Sequence, residues 1–296
     1  MKKVTPESNS WRAWPLTRLE REYSPSSCVP SSAPFLAAYG ERSRQAVEHL
    51  PCQRNLHWGN GEDETFDFFP VTDNDAGNDA PLLIFIHGGY WQELSKNDSL
   101  FLAPNCVARG IAYAAIEYTL APRATVVAIV DQCRRAIVSI AKQAQALGFD
   151  SRRIFVAGSS AGAHLAAMLL VQSGEAIEEF SRGVIAGAVL LSGIYDLAPI
   201  VPTYINEALR LTEDEAANLS PQRLRPGAPV PVVVAWGENE TPEFKRQSES
   251  FAAKLKDAGF DVKSLQITGA NHFDIVFEIA DSRTVLGQAT LNLINT

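Results

Sequence analysis

Apolar residues follow two rhythms along this chain. Near-continuous apolar runs of strand length occupy residues 82–86, 111–118, 154–157, 184–191 and 230–235, and a sixth, more alternating run covers 262–267. Runs that are apolar on both faces suit strands of a sheet covered on both sides. Between them lie segments with helical spacing. Residues 126–147 carry Val127, Val130, Ile137 and Ile140 and stop at Gly148, and residues 161–172, 242–258 and 273–294 are similar. Strand then helix, repeated, predicts an α/β fold: a mostly parallel twisted sheet with helices on both faces and right-handed crossovers.

Upstream the pattern is different. Residues 1–33 are rich in serine and proline and are expected to run over the surface, while 35–50 have helical spacing through Leu36, Tyr39, Val47 and Leu50. Residues 57–58 and 65–71 read as two short strands around Gly59-Asn60-Gly61, a hairpin. The chain therefore divides into an N-terminal extension, residues 1–52, packed on a core domain, 53–296. Residues 197–228 break the rhythm with Pro199, Pro202, Pro221 and Pro226 and short helical patches, and are expected to form a small lid-like insertion over one edge of the sheet.

Composition narrows the function. The 296 residues are 46% hydrophobic and 20% charged, which excludes a disordered tail, a coiled coil and a collagen. Lys and Arg number 26 against 34 Asp and Glu, a net charge of −8, which argues against an electrostatic grip on nucleic acid or anionic lipid. The expected partner is a small-molecule substrate, with neither nucleic acid nor membrane. A homodimer is compatible with the sequence, though no single feature requires one. The polar run after Lys2 and Lys3 is not a signal peptide, and no apolar stretch reaches the roughly 18 residues of a membrane span. Cys28, Cys52, Cys106 and Cys133 form no CxxC, so free thiols in a cytoplasmic location are expected.

The candidate chemistry sits where strands end. Gly158-Ser159-Ser160-Ala161-Gly162 matches G-x-S-x-G between an expected strand and an expected helix. That reversal places Ser160 in a strained backbone, and small flanking residues allow the close approach. Ser160 is the expected nucleophile. His87-Gly88-Gly89-Tyr90-Trp91 follows the first core strand. Two glycines let backbone N–H groups turn into a cavity, so Gly88 and Gly89, with Ala161, form the expected oxyanion hole. His87 is read as fixing this loop; Tyr90, Trp91 and Ser159 are expected to line the substrate pocket.

Of the five histidines, His272, in Gly269-Ala270-Asn271-His272-Phe273 after the last strand, is left as the base. His49 and His57 precede the sheet, and His164 lies one helical turn after Ser160. The acid belongs after the next-to-last strand, where Glu238, Glu240 and Glu243 compete; Glu240 is the choice, Glu238 the runner-up and Asp196 a distant alternative. The order Ser160, Glu240, His272 is the chain order of α/β-hydrolases. Neither a metal nor an organic cofactor is expected.

At these residues the chain resembles the α/β-hydrolase superfamily over about residues 53–296. More narrowly, His87 to Trp91 resembles the HGGxW motif of the serine-hydrolase-type arylformamidases, or kynurenine formamidases. Residues 158–166 resemble their nucleophile helix, residues 237–244 their acid loop, and Tyr23-Ser24-Pro25-Ser26 a tyrosine-containing N-terminal segment. The family acid is usually aspartate, and Glu240 stands at its place. The resemblance implies hydrolysis of an N-formyl or small N-acyl aryl amine such as N-formylkynurenine, with a small-acyl carboxylesterase of the same machinery as the alternative.

Overall fold

The computed structural model describes residues 10–71, 79–172 and 183–295. Among them the strands are β1 (Gln53–His57), β2 (Thr65–Phe69), β3 (Leu82–Ile86), β4 (Ala112–Ile116), β5 (Ile154–Ser159), β6 (Val171–Gln172), β7 (Gly187–Leu191), β8 (Arg225–Pro226), β9 (Val232–Asn239) and β10 (Val262–Asn271). Eight form one sheet in the order β1-β2-β4-β3-β5-β7-β9-β10. The six strands from β4 to β10 in that order are parallel, and β2 is antiparallel to both neighbours.

Alternate residues of a strand face opposite ways, so each core strand feeds two cores. In β3, Leu82, Ile84 and Ile86 enter one, and Leu83 and Phe85 enter the other. This double burial explains why the strand sequences lack polar alternation. The helices Val126–Lys142, Ala161–Met168 and Pro242–Asp257 cover the first face; Ala33–His49, Ala103–Val107 and Val285–Ile294 cover the second. Local chemistry sets the helix ends. The Thr125 side chain accepts from Ala128 N–H to cap Val126–Lys142, and Gly148, with φ of 77°, closes the turn that follows.

Several expected boundaries move. The stretch 161–172 is helical only to Met168, because Val171 and Gln172 pair with β8 instead. The stretch 273–294 is not one helix: a short 3-10 turn at Ile275–Glu278 and the helix Val285–Ile294 are split where Asp281 binds the backbone of Arg283 and Thr284 caps the next turn. The stretch 126–147 breaks at Gln143. The 184–191 strand starts at Gly187, and β9 and β10 run on to Asn239 and Asn271.

Residues 10–33 are more ordered than their composition suggests. The helix Leu16–Glu22 buries Leu19, and Trp11 and Tyr23 join the first-face core; residues 1–9 lie outside the described residues. Segment 197–228 holds short helices at Asn206–Leu209 and Glu213–Asn218, the second with a Thr212–Glu215 capping box. Its Leu197, Ile200, Ile205 and Leu209 are buried in the first-face core.

Candidate active site

β5 ends at Ser159 and the helix Ala161–Met168 begins two residues later, so the whole reversal falls on Ser160. Its backbone stands at φ 58° and ψ −120°, a strained conformation for a side-chain-bearing residue. Its N–H donates to the Leu191 carbonyl at 2.8 Å, which fixes the turn against β7. A Cβ on Gly162 would come within 2.0 Å of the Ile86 carbonyl oxygen, and one on Gly158 within 2.3 Å of the Gly162 carbonyl oxygen. Only glycine fits at either place.

Ile86 leads into the His87–Gly88–Gly89 loop. A Cβ on Gly88 would meet the Ser159 carbonyl oxygen at 2.8 Å, and Gly89 takes a φ of 92°. Among the described residues, the backbone N–H groups of Gly88, Gly89 and Ala161 have no acceptor. His87 is buried and engaged at both ring nitrogens, Nδ1 with the Gly88 carbonyl at 2.9 Å and Nε2 with Glu117 Oε1 at 3.0 Å. It stacks flat on Tyr118, whose hydroxyl donates to the carbonyls of His87 and Gly88. Glu117 also accepts from Lys96 N–H at 3.2 Å, and the Lys96 ammonium is paired with buried Asp67 at 2.8 Å. His87 thus holds the loop.

His272 follows β10 and is buried, with its ring edge against Phe244. Its Nδ1 lies 2.9 Å from Glu240 Oε2. A carboxylate only accepts, so Nδ1 carries the proton and Nε2 is left as the basic nitrogen. The other Glu240 oxygen accepts from Ser192 Oγ and from Gly237 N–H, both at 2.5 Å. The competing acids are occupied elsewhere. Glu238 is exposed and accepts from Gly269 N–H; Glu243 binds Tyr23 and Arg246; Asp196 is paired with Arg223 at 3.0 Å. Asp274, whose carboxyl is pushed up by burial, accepts from Asn271 N–H and so shapes the turn that carries His272.

A cavity of about 270 Å³ opens on Ser160, His272, Gly88 and Gly89. Tyr39, Phe85, Tyr90, Phe101, Tyr204 and Phe273 give it aromatic walls, and Ser24, Pro25 and Ser26 of the N-terminal extension contribute a further side. Tyr90 and Ser159, expected at the pocket, line it. Trp91 does not. It is fully buried in the first-face core with its ring against His164, 4.9 Å between centroids, where its large apolar surface is withdrawn from water. Sequence reasoning missed Glu117 and Ser192, whose contacts join distant segments and leave no local pattern.

The BD-FAE family model matches residues 70–255. A kynurenine formamidase from Danio rerio is 34% identical over 97% of this chain and 99% of its own length. The chain belongs to the BD-FAE family, as an arylformamidase-like α/β-hydrolase. Solved structures agree on the fold. One from Silicibacter sp. superposes with a TM-score of 0.80 at 26% identity, covering 93% of this chain and 98% of that one. An esterase from Pyrobaculum calidifontis superposes with a TM-score of 0.70 at 18% identity, covering 94% and 96%.

Proposed function

We propose that this α/β-hydrolase cleaves the amide bond of N-formyl aryl amines such as N-formylkynurenine, with Ser160 as nucleophile, His272 as general base and acid, and Glu240 as the acid that orients it. The observation that carries the reading is the Glu240–His272 pair, 2.9 Å apart, whose imidazole shares one cavity with Ser160 and the unpaired N–H groups of the glycine loop.

Ser160 Oγ attacks the formyl carbon as His272 Nε2 takes its proton. The carbonyl electron pair moves to oxygen, and the N–H groups of Gly88, Gly89 and Ala161 stabilise the resulting oxyanion. Collapse breaks the carbon–nitrogen bond, and His272 hands its proton to the leaving aryl amine. Water, deprotonated by the same imidazole, then attacks the formyl ester, and formate leaves as Ser160 regains a proton. An aryl amine leaves more readily than an alkyl amine, and a formyl carbon is unhindered. The scheme uses no metal or organic cofactor.

The kynurenine formamidase relative, matched along almost its whole length, supports the formamide over an ester as substrate. The decisive measurement is kcat/KM on N-formylkynurenine and formanilide against p-nitrophenyl acetate. Turnover of both formamides is expected, with a fluorophosphonate adduct on Ser160 that Ser160→Ala removes together with activity. An ester preference of several orders of magnitude would replace this reading by the carboxylesterase one. Among the described residues no helix is long and apolar enough to cross a membrane. The free thiols of Cys28, Cys52, Cys106 and Cys133 support a cytoplasmic location.

A further inference from the structure

The loop that carries the oxyanion glycines is held in an unfavourable backbone. After Gly89, with its φ of 92°, Tyr90, Trp91 and Leu94 stand at φ of 49°, 61° and 67°. Side-chain-bearing residues rarely adopt this left-handed region, and a run of them persists only where surrounding contacts over-determine it. Three contacts do so beyond His87. Ala121 N–H donates to the Trp91 carbonyl at 2.8 Å, the Gln92 side chain donates to the Ile205 carbonyl at 3.0 Å, and the Tyr90 hydroxyl donates to the Tyr23 carbonyl.

The third contact leads across the site. Tyr23 is buried; its hydroxyl donates to Glu243 at 2.9 Å and accepts from Gln247 at 2.7 Å. The preceding carbonyl, of Glu22, accepts from Thr241 Oγ1 at 2.6 Å. Thr241 directly follows Glu240, and Tyr90 directly follows Gly89. One short stretch of the N-terminal extension is therefore bonded at one end beside the oxyanion glycines and at the other beside the acid of the Glu240–His272 pair.

We propose that Glu22–Tyr23 is a clamp that fixes the oxyanion loop relative to the acid loop, with Tyr90 as the positioning residue through which it acts. The proposal rests on the serine-hydrolase reading above, but not on the identity of the substrate. Oxyanion donors act on charge that develops only in the transition state, so loosening them lowers kcat and leaves ground-state binding alone. A Tyr90 that merely walled the cavity would change KM instead.

The test is Tyr90→Phe in the full chain, assayed on formanilide and on p-nitrophenyl acetate. About a tenfold fall in kcat on both, with KM within about twofold, is expected, and a trifluoromethyl ketone that mimics the tetrahedral adduct should bind more weakly by about the same factor as kcat falls. Thr241→Val, which cuts the other end of the clamp, should lower kcat in the same way and keeps the proposal testable if Tyr90→Phe does not fold. Unchanged kcat in either variant overturns the clamp, as does a rise in KM alone or a loss of thermal stability without loss of kcat. A wild-type chain that a fluorophosphonate fails to label would overturn the serine-hydrolase reading and the clamp together; a labelled one with an unaffected Tyr90→Phe would overturn the clamp alone.

Discussion

Glu240 is one methylene longer than the aspartate usual at its place, and the contacts on its far oxygen accommodate the extra length. Ser192 Oγ and Gly237 N–H both grip Oε1, leaving Oε2 for the imidazole. Glu240→Gln removes the charge but keeps the shape, and a drop in kcat of about 10⁴-fold is expected by analogy with triad acids in general. Glu238→Gln, at an exposed side chain that binds Gly269 N–H, should leave kcat unchanged; steady-state kinetics on formanilide read both. His164 makes a different prediction. Its pKa is lowered to about 4 because burial disfavours the charged ring. Unfolded, the same ring takes a proton near 6.5. The folded pKa is the lower one, so the group's full contribution to stability is present above about 6.5 and is lost as pH falls towards 4, on the order of 3 kcal/mol in all. Urea unfolding between pH 7 and 4 should show a slope that His164→Leu reduces; identical slopes in the two proteins would refute it.

At the scale of elements, the strand–turn–helix around Ser160 works only because two backbones nearly touch. Gly162→Ala would push a methyl to 2.0 Å from the Ile86 carbonyl oxygen, and neither partner is a flexible side chain. A loss of about 1–3 kcal/mol is expected from the overpacking. Because Ile86 runs directly into the glycine loop, kcat should fall at least tenfold as well. Thermal melting and turnover measured on one preparation test both, and an unaltered Tm would contradict the packing argument. The helix and strand identities of the core follow from local pattern. Their ends do not: Val171 and Gln172 leave a helix-compatible run because β8 offers them a partner, and Ala280 to Thr284 interrupt the last helix through side-chain bonds to backbone.

At the scale of the molecule, the N-terminal extension connects the two faces of the sheet. Trp11, Leu19 and Tyr23 belong to the first-face core, Tyr39 and Ala46 to the second, and Ser24 to Ser26 and Ser32 between them line the cavity. The net charge of −8 also reaches the site. Among the described residues, those lining the cavity include Glu93 and Asp98 and no arginine or lysine. Neutral formanilide should therefore be turned over with a kcat/KM about tenfold above that of anionic N-formylanthranilate, with a gap that narrows as salt is added. A preference for the anion, or a gap insensitive to salt, would count against this electrostatic account.

The α/β layering was legible in the chain alone, because strands buried on both faces and helices buried on one write different apolar periods into the sequence. The tight turn at Ser160 and the glycine loop were legible too, since Gly158 and Gly89 are limited by near neighbours in the chain and the backbone leaves room for one residue type alone at Gly162. Which of three nearby glutamates meets His272, where Trp91 points, and the tie from Tyr23 to Tyr90 were decided only by the tertiary structure. Each depends on segments that are far apart in sequence and are placed by the packing of the whole sheet, and a contact of that kind leaves no periodicity along the chain to read.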